Sequence, residues 1–196
     1  MPLIELTLPA EIHDAWPYLR DPALIRRWFG WDYDGLDHEI EVIFLQEAAV
    51  DETDHALQWR DGIQDGDRIE LAERSGGEAP GRDRSGLETI LRVFRNPPPQ
   101  GFDPIAEGWI SFAHQLRFAL EHPGQERRTL RLTGGRIPSE LPGEPYFRTE
   151  HQAAAVADGA LALVAAAPDG TATLTVTSFG AEPDEPRWRA WWGEPA

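Results

Sequence analysis

Residues 104–122, "PIAEGWISFAHQLRFALEH", constrain the fold more than any other stretch. Asp103-Pro104 supplies a capping carboxylate and a first-turn proline, and Pro123-Gly124 closes the far end. That asymmetry marks the two boundaries of one long helix. Trp109, Phe112, Ala113, Leu116 and Leu120 recur at helical spacing and form an apolar stripe. Ile110 and Phe118 lie off the stripe, which predicts apolar contact on more than one side. Most of the remaining chain reads as short strands between Gly-, Pro- and Asp-rich turns. One long helix among many strands predicts an α+β protein.

Residues 3–8 read as a strand. Pro9 opens a helix whose Ile12, Ala15, Trp16 and Leu19 share a face, and Pro17 inside it predicts a kink or an early stop. Asp21-Pro22 starts a second helix, expected to run to about Phe29 and to end at Gly30. "HEIEVIFLQ" alternates and is expected to be a strand, with Ile40, Val42 and Phe44 on one face and Ile43 and Leu45 on the other. "HALQWR" and "DRIELAER" flank "DGIQDG" as a hairpin; "ERSGGEAPGRDRSG" is a loop; "GLETILRVFRN" is a strand stopped by Pro97.

Beyond the long helix, "RRTLRLTG" is a strand and "GRIPSELPGEP" a linker. "RTEHQAAAV" and "ALALVAAA" meet at Asp158-Gly159, a hairpin signal. "TATLTVTSF" predicts Ala172, Leu174 and Val176 inward and Thr173, Thr175 and Thr177 outward, and "DEPRWRAWW" closes as an aromatic helix. The expected organisation is a domain over 1–124 and an extension over 125–196 of about four strands and one helix. The strand–strand–strand–helix order of the extension echoes the earlier part of the chain, as a partial repeat would.

Composition narrows the chemistry. The chain has 196 residues, 41% hydrophobic and 27% charged, an ordinary globular balance. With no cysteine, disulfide scaffolds, thiolate zinc sites and cysteine nucleophiles are excluded. All 18 basic residues are arginine, which excludes lysine Schiff bases. The net charge of −16 argues against nucleic acid or an anionic membrane as partner. No apolar run reaches the roughly 18 residues of a membrane span, and the N-terminus lacks the pattern of a signal peptide. The expectation is a soluble cytoplasmic protein.

Two segments carry a resemblance. Asp21, Pro22, Ile25, Trp28 and Phe29 form D-P-x-x-I-x-x-W-F, and Glu107, Gly108, Trp109, Phe112 and Leu116 form E-G-W-x-x-F-x-x-x-L. Together they resemble the signature segments of START-like (SRPBCC) proteins, in the branch similar to the C-terminal domain of the activator of heat-shock protein 90 ATPase. The resemblance covers roughly residues 3–122 and implies a helix-grip fold: a curved antiparallel sheet wrapped on a long helix. It implies apolar-ligand binding in some relatives, cyclase- or hydrolase-like chemistry in others, and co-chaperone action in a few. Fold alone does not choose among them.

The candidate ligand-binding residues are Trp28, Phe29, Trp31, Trp59, Phe94, Trp109, Phe112 and Leu116. They either wall a pocket for a small apolar molecule or form plain core. His38, Glu39, Asp51, Asp54 and His55 lack metal-ligand spacing, and "DGIQDGDRIE" fails the calcium-loop pattern, so no metal is expected. Ser75, Ser85, Ser111, Ser139 and Ser178 lie in no nucleophile elbow. Ser111 and His114 fall on one helix face, with Arg117 close by, but the expected place for His114 and Arg117 is the solvent side. No catalytic residue and no cofactor is assigned, and a non-catalytic role is expected. The leading expectation is a domain that binds a small hydrophobic molecule between sheet and long helix. The alternatives are a protein-interaction or co-chaperone-like module with a filled core, and an aromatic-cyclase-type enzyme.

Overall fold

The computed structural model describes residues 1–60, 62–74, 88–135 and 140–193. The protein is α+β, with two antiparallel sheets of five strands each. It divides into two compact units: residues 1–29 with 35–121, and residues 30–34 with 122–196. Most of the expected loop over 73–86, part of the expected linker over 135–145, and Ser75, Ser85 and Ser139 lie outside the described residues.

The first unit opens with β1 (Ile4–Leu8) and α1 (Ile12–Ala15), which passes into a 3-10 turn over Trp16–Leu19. Pro17 has no amide hydrogen to return to His13, so the helix tightens instead of continuing. Asp21 caps α2 (Pro22–Ile25), accepting from the Ala23 amide at 2.8 Å. The regular helix stops earlier than expected; the amides of Trp28 and Phe29 then both donate to the Ile25 carbonyl. Gly30, at φ +63°, turns the chain away.

Residues 38–46 correct the sequence reading, because they are helical: α3 (Leu36–Ile40) runs into a π-helical stretch, Glu41–Gln46. Leu36, Ile40 and Phe44, four apart, are the residues buried here, and Leu45 is exposed. The period-2 alternation was real, yet burial of the four-residue repeat decides the outcome. The strand in this region comes later and is shorter, β2 (Ala48–Asp51).

β3 (Ala56–Trp59), β4 (Arg68–Glu73) and β5 (Thr89–Phe94) complete a sheet of order β1-β5-β4-β3-β2. One face buries Leu57, Trp59, Ile69, Leu71, Leu91 and Val93. The other carries a charged ladder, with Arg92 joined to Glu5 at 2.6 Å and to Glu70 at 3.6 Å, and Arg68 to Glu70 at 3.1 Å. An antiparallel sheet with one packed and one solvated face alternates in this way. α4 (Pro104–Leu120) packs on β1 and β5.

The second unit holds β6 (Arg127–Gly135), β7 (Glu144–Arg148), β8 (Gln152–Ala157), β9 (Ala160–Ala166), β10 (Ala172–Phe179) and α5 (Glu185–Trp192). This is one strand more than the expected four, because Pro145 hid β7. Asp158 (φ 51°) and Gly159 (φ 76°) make the β8–β9 turn, both left-handed as a two-residue hairpin requires. Ala172, Leu174 and Val176 join Leu132, Ala162 and Val164 under Trp188 and Trp192 of α5. Thr177, expected outward, is buried.

The order of this sheet is β6-β10-β9-β8-β7. In both units the first strand pairs with the last, the others meander, and a helix capped by an aspartate follows. The two units share one order of strand pairing, and among the described residues no helix lies between the first two strands of the second. The expected boundary at 124/125 shifts to 121/122, and residues 30–34 belong to the second unit.

Candidate functional site

The candidate site is the interior of the first unit. α4 supplies Trp109 and Phe112, β3 supplies Trp59, the turns after α2 supply Trp28 and Phe29, and the π-helical stretch supplies Phe44. The rings form one continuous network. Phe44 meets Trp28 at 5.6 Å, Phe29 at 5.0 Å and Trp59 at 5.9 Å, each edge to face. Trp59 and Trp109 lie 5.1 Å apart, and Phe29 and Phe112 4.6 Å. Such geometries exploit the ring quadrupoles and add to the effect of burial. Phe44, at the centre, was missed because its segment read as a strand.

Each of the three core indoles is satisfied from within. Trp28 Nε1 donates to the Tyr18 carbonyl and Trp59 Nε1 to the Ile43 carbonyl, both at 2.8 Å. Trp109 Nε1 donates to Asp67 Oδ2 at 3.1 Å. The other oxygen of Asp67 accepts from Arg95 Nη1 at 2.9 Å and from the Asn96 amide at 3.1 Å. Arg95 also donates through Nε to Asp103 Oδ2 at 2.9 Å. Asp103 in turn caps α4, accepting from the amides of Ile105 and Ala106. Burial works to raise the Asp103 pKa, but the Arg95 guanidinium and the two amides outweigh it and hold the carboxyl below its ordinary value. Burial likewise works against the charge of Arg95, and the bonds to Asp67 and Asp103 reverse that, raising its pKa. Asp67 and Arg95 were not among the candidate site residues: the sequence reading placed Asp67 at the start of the strand "DRIELAER" and Arg95 near the end of the strand "GLETILRVFRN".

Between sheet and α4 there remains a gap of about 10 Å³, bordered by Trp28, Ile69, Leu91, Trp109, Ala113 and Leu116 among others. That is room for about one water-sized sphere. Of the expected site residues, Trp28, Trp109 and Leu116 border this gap, and Phe29, Trp59 and Phe112 pack in the aromatic network around it. Two are placed elsewhere. Phe94 alternates with the buried Leu91 and Val93, so it lies on the opposite face of the sheet. Trp31 belongs to the second unit, where the Arg131 guanidinium stacks 3.5 Å from its ring.

His114 corrects another expectation. It is only 5% exposed, not on a solvent face. Burial, helped by the positive charge of Arg117, pushes its pKa down to about 4, so the imidazole is neutral near pH 7. His114 does not border the gap, and Arg117 is bound to Glu121 at 3.2 Å.

The chain matches no protein-family model, no curated protein and no solved structure.

Beyond the core, no group of three or more His, Asp or Glu among the described residues is placed to hold a metal ion. His55 packs edge-on to Trp16, and Asp51 accepts from the Thr53 and Asp54 amides of its own turn. No helix among the described residues is long and apolar enough to cross a membrane. On the outer face of the first sheet an open trough of about 220 Å³ is lined by Ala49, Asp51, Glu52, Ala56, Arg60 and Arg68, among others.

Proposed function

We propose that the chain is a START-like, helix-grip module that acts on other proteins through its surface, in a cytoplasmic setting, and that its aromatic interior serves stability. The small gap that the described residues leave between the first sheet and α4 carries this reading. A gap of about 10 Å³ stands against the roughly 300 Å³ or more of a small-molecule pocket. The core indoles are spent on the protein's own acceptors, so an entering ligand meets no free donor to orient it. The bordering side chains are apolar, which leaves cyclase-type chemistry without an acid or base in that space. Co-chaperone-like action, one of the roles the resemblance implies, needs no cavity.

A second reading keeps one observation in its favour. The gap is bordered by apolar side chains only, so outward movement of α4 would create an apolar ligand site where the resemblance places one.

The test is uptake of an apolar fluorescent dye, followed by native mass spectrometry. The wild-type protein is expected to take up no stoichiometric dye, and Leu116→Ala, which enlarges the gap, to admit a benzene-sized molecule. One equivalent of dye bound by the wild type, quenching core tryptophan emission, overturns the filled-interior reading in favour of the second.

A further inference from the structure

We propose that the open edge of β2 is the docking site for an extended, arginine- or lysine-rich segment of a partner protein, which adds a strand to the first sheet. This rests on the interaction reading above and names its surface.

The two sheets end in four strands, and those of the second sheet are guarded. β6 is covered by residues 30–34: the Asp32 amide donates to Thr129 Oγ1 at 2.7 Å, and the Thr129 amide donates back to Asp32 Oδ2 at 3.1 Å. β7 carries Pro145 and a bulge between Pro145 and Phe147. β1, at the other end of the first sheet, carries α4 on its face, and its Glu5 is engaged by Arg92 at 2.6 Å. Proline, bulges and covering elements are the usual protections of a sheet edge. Among the described residues β2 has no proline, bulge or covering element, although it is only four residues long and ends in the charged Asp51. It pairs with β3 in unbroken register, from Ala48↔Trp59 to Asp51↔Ala56, and no described strand lies on its other side.

The surroundings of β2 suit a peptide. Leu45 and Val50, 46% and 40% exposed, are the only large exposed hydrophobics described in this unit apart from Met1. The trough of about 220 Å³ begins at this strand, with Ala49 and Ala56 leaving the sheet surface low beside Asp51 and Glu52. In strand addition the main chain supplies affinity and such side-chain recesses supply specificity.

Charge selects the occupant. Residues 35–59 carry seven carboxylates and no arginine or lysine. Arg26 and Arg20 approach Asp37 and Glu52, and Arg68 in the trough is engaged by Glu70 at 3.1 Å. Arg60 adds one positive group, too little to reverse the sign. A second copy pairing β2 with β2 would bring two acidic surfaces together, whereas a basic strand meets complementary charge and lays its aliphatic stems over Ala49, Val50 and Ala56.

The experiment titrates the full chain, labelled with nitrogen-15, with three octapeptides: alternating arginine and valine, alternating glutamate and valine, and the arginine peptide N-methylated at alternate amides. The arginine peptide is expected to shift the amides of Ala48–Asp51, the glutamate peptide to leave them unmoved, and N-methylation to abolish the effect. Asp51→Asn keeps an oxygen for the Thr53 and Asp54 amides and is expected to weaken binding about threefold. The proposal is overturned by no binding up to about 1 mM peptide, by shifts confined to another surface, by equal binding of the glutamate peptide, or by peptide-free dimerisation through β2. If the arginine peptide fails while the interior refuses the apolar dye, this surface falls alone; dye uptake removes the interaction reading itself.

Discussion

The indole of Trp109 donates to the carboxylate of Asp67, and Asp67 is fully buried. A tryptophan that the sequence offers as a pocket wall is thus fastened to a charge network reaching through Arg95 to the cap of α4. Asp67→Ala is expected to destabilise the protein by about 3 kcal/mol, because it leaves the buried indole without its acceptor and takes from Arg95 one of its two carboxylates. Trp109→Phe, which removes the donor and much of the ring, is expected to cost about 2 kcal/mol. Urea unfolding measures both; a cost near zero for Asp67→Ala would remove the network from the account.

Asp103 does two things at once, capping α4 and holding Arg95. Asp103→Asn keeps a capping oxygen but loses the ion pair, and Asp103→Ala loses both. The expected order of stability is wild type, Asn, Ala, with the Ala variant lower than wild type by about 2 kcal/mol. The Asp103 carboxyl is held below its ordinary value. Its contribution is therefore present above the unfolded pKa and is lost as pH falls through the lower folded value.

His114 titrates near pH 4 in the folded chain and near 6.5 when unfolded. Between those values the unfolded state binds a proton that the folded state refuses, so stability falls as pH drops from about 6.5 towards 4. Going from pH 7 to pH 5, this group alone removes about 2 kcal/mol. His114→Leu is expected to flatten that slope in denaturant titrations, and an unchanged slope would place the charge sensitivity elsewhere.

Gly143 takes φ +99°, and a Cβ there would run into the Val156 carbonyl. Gly143→Ala is expected to cost at least about 3 kcal/mol and to displace β7 from β8. Hydrogen exchange along β8 reads the displacement directly. Gly170→Ala is the control: it also starts from positive φ, +85°, but a Cβ there meets nothing within 4 Å.

How far the sequence was readable depended on where the deciding force was local. Caps at Asp21 and Asp103, the Asp158-Gly159 hairpin and the long helix begun at Pro104 all rest on short-range geometry, and they stand where the residues put them, with the helix ending at Leu120, two residues short of the expected 122. Residues 38–46 misled because Ile40, Val42 and Phe44 carry strand propensity and alternate, whereas what settles them is the burial of Ile40 and Phe44 in line with Leu36. Trp31 follows Trp28 and Phe29 by only two residues, but the turn at Gly30 sends it to Arg131. Asp67 read as the polar first residue of a strand, and only its partners Trp109 and Arg95, distant in sequence, make it part of the core.

The pairing of first strand with last has a consequence for synthesis. Ile4 finds its register opposite Val93, and Arg127 opposite Phe179. Neither ladder can close until nearly the whole of its unit has left the ribosome, so β1 and β6 each wait, unpaired, for a partner not yet made. Long-range closure of this kind slows folding relative to a helical chain of equal length. The waiting strands, with the tryptophan-rich segments between them, are the surfaces through which a growing chain is most exposed to aggregation and most dependent on protection.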